Sequence, residues 1–255
     1  MKENWTRDQL IVALHLYWQI PYNQISGTNN KRIQEIAPLI GRSSGALAFI
    51  LMQYTSLDTT RQEKGEKGKR APSELGKEIW EEYFGDWEKL AHDSTLIVSK
   101  WMKKPFEELV NEEYEQDFPE GKENERSVKT RLNQSDFRRR ILASYNNTCC
   151  ITGLQQPEIL IAGHIRHWSI DKENRLNPRN GIAINALHDK AFEIGLITIT
   201  PSFTIKLSSI LLRQYKLQPI QDYFMKYEDQ PIFLPSNFPP DIQFLEWHNI
   251  NKFKP

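Results

Sequence analysis

Two short apolar runs, 160–164 and 182–184, stand on either side of a polar loop, and a short helical segment follows at once. The first run, Leu-Ile-Ala-Gly-His, ends in His164. The loop carries Asp171, Asn174 and Pro178, and Asn180-Gly181 then leads into the second run. Runs of this length bounded by turn residues read as strands. A helix over about residues 186–194 would carry His188, Asp189 and Glu193. The pattern is strand, loop, strand, helix, and it allows little beyond a small hairpin capped by a helix.

The rest of the chain is mostly helical in pattern. Thr6 and Gln9 have capping-box spacing. Leu10, Ile11, Leu14, Tyr17 and Trp18 recur on one face, so about residues 7–19 form an amphipathic helix that Pro21 ends. Residues 30–57 read as two helices about Gly41, the layout of a helix-turn-helix unit. Its second helix would offer Arg42, Ser43, Ser44 and Gln53 to DNA; a helical hairpin that only packs a core has the same pattern. Residues 61–70, RQEKGEKGKR, lack apolar anchors and read as a charged loop. Lys64, Lys67, Lys69 and Arg70 in it either touch phosphate or are solvated. Another helix carries Leu75, Ile79, Tyr83 and Phe84, with Trp80 and Trp87 packing beside it.

An acidic stretch containing Pro119 and Gly121 gives way to a basic one, RSVKTRLNQSDFRRR. The expected organisation is a helical domain over 1–115, an acidic connector over 116–125 and a second domain over 126–255. Arg131, Arg138, Arg139 and Arg140 are expected to project outward and hold DNA phosphates. A solvated helix face that balances the acidic connector is the alternative. With 255 residues, 39% of them hydrophobic, the chain can build one large domain or two small ones, each with its own core. Its formal net charge of +0 argues against a strongly basic nucleic-acid coat protein but not against a DNA enzyme with local patches. No run reaches the roughly 18–20 apolar residues of a membrane span, and MKENWTRDQL has no apolar signal core. Cys149 and Cys150 are adjacent, which suits neither a disulfide framework nor usual zinc spacing. A reducing cytoplasm is the simplest setting.

The residues on the hairpin and helix suit one chemistry. Hydrolysing a phosphodiester needs a base to activate water and a cation to neutralise charge on the phosphate and leaving oxygen. Histidine has the right ordinary pKa for the base, a second group must orient its ring, and a histidine or carboxylate on the helix can hold the cation.

His164 and Asn180 are sixteen residues apart, and Asn180 and His188 eight. This order resembles the His–Asn–His signature of HNH (ββα-metal) endonucleases. The words AGHIRHW, RNGIAINALHDKAFEIGLITI and NQSDFRRRILASYNNTCCITG are similar to the branch found in bacterial restriction endonucleases. WTRDQLIVALHLY and FLPSNFPPDIQFLEWH resemble flanking parts of such proteins more weakly. The resemblance implies an α+β fold: a helical domain, then an HNH domain with its core over 147–199, wrapped by further helices and a proline-rich tail (231–240). It implies His164 as general base, Asn180 as brace, and His188 as ligand of a divalent metal, Mg2+ or Mn2+. Water would attack phosphorus and the 3′ oxygen leave. Family members often place a ligating Asp or His just before the base, where this chain has Gly163. Asp189 or Glu193, one turn apart, would supply the missing carboxylate, and His188 and Asp189 compete for the main ligand position. The substrate implied is double-stranded DNA, cut by a homodimer; a DNA-binding regulator with an inactive HNH fold is the competing expectation. His167 and Trp168 either line the DNA cleft or pack. His15, His92 and His248 have no evident partners and are expected to be structural or exposed.

Overall fold

The structure, a computed structural model, describes residues 4–65, 70–117 and 127–255. Lys67, Lys69, Arg126 and most of the acidic connector lie outside them. The fold is α+β. The chain forms two compact units, Met1–Ala143 and Ser144–Pro255.

The first unit is helical: α1 (Arg7–Gln19), α2 (Lys31–Leu39), α3 (Ser44–Tyr54), α4 (Thr59–Glu63), α5 (Glu74–Tyr83), α6 (Trp87–Met102), α7 (Phe106–Asp117) and most of α8 (Val128–Ser144). Helix α1 opens on the capping box read from the sequence, with Thr6 and Gln9 satisfying each other's backbone amides. It is not amphipathic, however: every residue from Leu10 to Gln19 is buried, because α3, α5 and α6 all pack around it. Its polar side chains must therefore find partners inside. His15 Nε2 lies 2.8 Å from Asp136 Oδ1, and the Gln19 amide donates to the same oxygen at 3.0 Å.

This polar core overturns the outward arginine run. Arg140 is fully buried, ion-paired with Asp136, and stacked 4.3 Å over the Trp87 ring. Arg139 bonds Glu113 and Asp117 at 2.9 Å each. Arg131 donates to Asn111 at 2.6 Å, and Arg138 is half-buried. Burial alone would push the Asp136 carboxyl up; the Arg140 guanidinium and the His15 and Gln19 contacts hold it well below the ordinary range. Helix α8 up to Ala143 thus belongs to the helical unit, since its acidic and basic side chains are matched there.

Helices α2 and α3 meet at 106° about Gly41, whose φ is +67°. That is the angle of a helix-turn-helix, but α3 carries no charged residue. Arg42 is held by Asn4 O at 2.8 Å and Gln9 at 3.1 Å, and Gln53 is buried against Ala71 O. Arg42, Ser43 and Gln53, three of the four side chains expected to read bases, are engaged in holding the fold. Arg61, expected in a charged loop, is buried in α4 and lies 4.4 Å over the Tyr22 ring. No single helix among the described residues is long and apolar enough to cross a membrane.

The second unit contains β1 (Leu160–His164), β2 (Gly181–Asn185), α9 (Ala186–Glu193), β3 (Ile197–Ile199), β4 (Ile205–Leu207), α10 (Ser209–Leu212), α11 (Gln218–Tyr223) and α12 (Ile242–Asn251). Strands β1 and β2 pair antiparallel, with Gly163 opposite Ile182 and His164 opposite Gly181. Helix α9 packs on both strands and on β3. The β3–β4 hairpin is antiparallel, and α12 covers β3. There His248 is structural: Nε2 donates to Phe192 O at 3.0 Å, and the ring stacks on Phe192 at 3.7 Å. Cys149 and Cys150 are fully buried and reduced, and the Cys150 amide donates to Ala183 O at 2.7 Å.

Candidate functional site

His164 is the last residue of β1, so its side chain stands at the mouth of the hairpin where the loop begins. Its Nε2 lies 2.9 Å from the Arg175 carbonyl oxygen. A carbonyl only accepts, so Nε2 carries the ring proton and Nδ1 is the proton-accepting nitrogen. Burial pushes the His164 pKa down to about 4; the Arg175 carbonyl pulls back up, and His167 adds a smaller downward push. The ring is therefore neutral across the physiological range, the state a base must start in.

Asn180 explains why the Arg175 carbonyl is where it is. It is fully buried at the head of β2. Its Oδ1 accepts from the Arg166 amide at 2.8 Å, while Nδ2 donates to Arg166 O at 2.9 Å and Asn174 O at 3.2 Å. One side chain thus fixes the backbone two residues after His164 and the residue just before Arg175. The loop between is held by its own polar groups. Asp171 accepts from the Asn174 amide at 3.2 Å, Asn177 donates to Asn174 at 2.9 Å, and Arg166 pairs with Asp171 at 3.3 Å. The Arg175 Nε donates to Trp168 O at 2.8 Å, with the guanidinium 5.0 Å over the Trp168 ring.

His188 is placed differently from its expected metal role. Asn185 caps α9 by accepting the His188 amide at 3.1 Å. The His188 Nε2 lies 2.7 Å from Tyr223 O, so it donates, and Nδ1 accepts from Asn185 Nδ2 at 2.8 Å. The ring also packs edge-on against Phe224 and Tyr227. Neither nitrogen keeps a spare lone pair for a cation in this arrangement. His188 holds the 223–227 segment onto α9.

Asp189 lies against Gly163, the residue before His164. A Cβ built on Gly163 would lie 2.7 Å from Asp189 Oδ1. The carboxylate thus occupies the space where a side chain preceding the histidine would begin, and glycine is what makes room for it. Asp189 is half-buried and makes no hydrogen bond or ion pair among the described residues. Burial first, and then the Glu193 charge, push its pKa up to about 6, with Lys190 pulling the other way. Glu193 is exposed and paired with Lys190 at 2.8 Å. A half-buried carboxylate without a donor suits a divalent cation. Among the described residues no three His, Cys, Asp or Glu side chains gather as a ready-made metal cage. Magnesium needs no such cage, since it keeps several waters and shares phosphate oxygens.

The sequence reading missed Arg175, Asn174, Asn185 and Tyr223. Asn185 precedes a helix and was accessible as a cap. The other three act through backbone carbonyls, which every residue has. Residues 149–200 match the model of the HNH endonuclease family. A search of curated proteins found no match. The matched span covers β1, the loop, β2, α9 and β3, and holds His164, Asn180, His188 and Asp189 in one unit. Residues 149–200 of this chain are an HNH nuclease domain.

Proposed function

We propose that the chain is a metal-dependent DNA endonuclease of restriction type, with His164 as general base. The observation that supports this best is the fixed tautomer of His164, neutral and with Nδ1 as acceptor. In the proposed reaction Nδ1 takes a proton from water while the water oxygen bonds to phosphorus. The P–O3′ bond then breaks, and its electron pair goes to the 3′ oxygen. Asn180 is a positioning residue, because it sets the carbonyl that aims the ring. Asp189 would hold Mg2+ or Mn2+ with water and phosphate completing the shell, and Glu193 lies one turn away on the same helix. The bound ion would supply charge neutralisation at the phosphate and the leaving oxygen. Exposed Lys172 and Arg179 of the loop are better placed for phosphate than Arg139, paired with Glu113 and Asp117, or buried Arg140. Cutting both strands requires two sites, which a homodimer would provide; sedimentation of the DNA-bound protein tests that. The buried reduced cysteine pair fits a cytoplasmic setting.

The test is cleavage of unmodified and cytosine-modified plasmid, with Mg2+ or Mn2+, by wild type and His164→Ala. Ion-dependent cutting that disappears in His164→Ala is expected. Equal cutting by both proteins would sink His164 as the base. The engagement of both His188 ring nitrogens, with Tyr223 O and Asn185, favours a second reading, a DNA-binding regulator with an inactive HNH fold. DNA binding without cutting in either ion would select it.

A further inference from the structure

His167 lies three residues beyond the base, on the same loop. Its backbone carbonyl accepts from Ile170 N at 2.9 Å and Asp171 N at 3.3 Å, so it heads a tight turn. Its ring is held from one side only. The Ser169 amide lies 3.3 Å from Nδ1, and the Ser169 hydroxyl 2.7 Å from the same atom. An amide N–H only donates, so Nδ1 is the acceptor and the ring proton sits on Nε2. Among the described residues Nε2 has no hydrogen-bond partner. A donor with a fixed tautomer, on a turn braced by Asp171 and Asn174, is pre-set for something outside the protein.

Its surroundings say what that is. The His167 ring is close enough to act electrostatically on both His164 and Glu193. It belongs to the loop that opens directly after His164 at the mouth of the hairpin. Cations Lys172, Arg175 and Arg179 stand on the same loop. An N–H donor three residues beyond a nuclease base, on a loop that carries cations, fits an oxygen of a phosphodiester.

We infer that His167 is a substrate-contacting residue whose Nε2–H donates to a non-bridging oxygen of the scissile phosphate. This rests on the nuclease reading above. No proton leaves the ring. The hydrogen bond strengthens as negative charge builds on that oxygen during attack, so it favours the transition state over the bound substrate. Ser169 is the positioning partner that fixes the tautomer.

The experiment compares wild type, His164→Ala, His167→Ala and His167→Gln on one plasmid substrate with Mn2+, with DNA affinity measured in Ca2+. Removing one such donor typically costs roughly 100-fold in kcat. His167→Ala should lose about that much kcat, with KM, DNA affinity and melting temperature little changed. His167→Gln, which keeps an N–H donor at similar reach, should recover most of the loss. His167→Ala cutting like wild type while His164→Ala is dead would overturn the inference and leave the nuclease reading intact. Equal loss in His167→Ala and His167→Gln with a lowered melting temperature would also overturn it, by showing a structural role. A wild type that cuts no DNA would remove the nuclease reading and this inference together.

Discussion

Replacing Asp189 with Asn should stabilise the metal-free protein at neutral pH while abolishing cleavage. The carboxyl sits against Gly163 without a donor, and its pKa is pushed from the ordinary 3.8 to about 6. Each tenfold change in proton affinity is worth about 1.4 kcal/mol, so ionising Asp189 costs the fold about 3 kcal/mol. Solvent on its open side trims this to about 2 kcal/mol. The sign follows from linkage. A raised folded pKa means that the stability is fully present below about pH 4 and is lost as pH rises through about 6. Asparagine never pays that cost. Urea unfolding in EDTA should place Asp189→Asn about 2 kcal/mol above wild type at pH 7.5, with the gap closing towards pH 4. Adding Mn2+ should raise the wild-type midpoint and leave the variant unmoved. A variant less stable than wild type at pH 7.5, or a gap independent of pH, would refute the idea of a carboxylate held in wait for a cation.

Asn180→Ala removes three buried hydrogen bonds and should cost roughly 3 kcal/mol in urea, with cleavage falling because the carbonyl behind His164 drifts; wild-type stability would contradict the brace. His188→Ala, read in chelator, should lose about 2–4 kcal/mol and speed amide exchange across 218–227, since the ring ties Tyr223 to α9; unchanged exchange would argue against that tie. Arg140→Ala strips Asp136 of its ion partner and should cost about 3–5 kcal/mol with DNA affinity of the folded protein unaltered; a large affinity loss at wild-type stability would restore Arg140 as a DNA contact. Metal affinity should fall about tenfold per pH unit below about 6, where Asp189 takes up a proton, and level off above it. His164, pushed down to about 4, stays neutral through that range, so titration calorimetry of His164→Ala should give the same curve.

Patterns that repeat along the chain were legible in the sequence. The Thr6 cap, the helix behind it, the hairpin and the helix at 186 are all local, written in turn residues and short apolar runs. Neither strand of the second hairpin, Ile197–Ile199 with Ile205–Leu207, was read from the sequence. What could not be read depends on partners distant in sequence. Arg139 and Arg140 look like a phosphate clamp until Glu113, Asp117 and Asp136 are brought beside them. The burial of α1 on all sides has the same origin. His188 and Asp189 are neighbours that a loose alignment cannot separate. The turn of α9 separates them, sending one ring to Tyr223 O and the other side chain to Gly163.

The way Asn180 holds the loop also says where this domain can change. Its three bonds reach Arg166 and Asn174, the two ends of the segment behind His164. Lys172 and Glu173, between those anchors, are exposed at the loop surface. Side-chain changes there would leave both anchors in place and the aim of the imidazole unaltered. On the nuclease reading, the loop surface can therefore change without retuning the proposed chemistry, a separation that lets one part diverge while the other stays fixed.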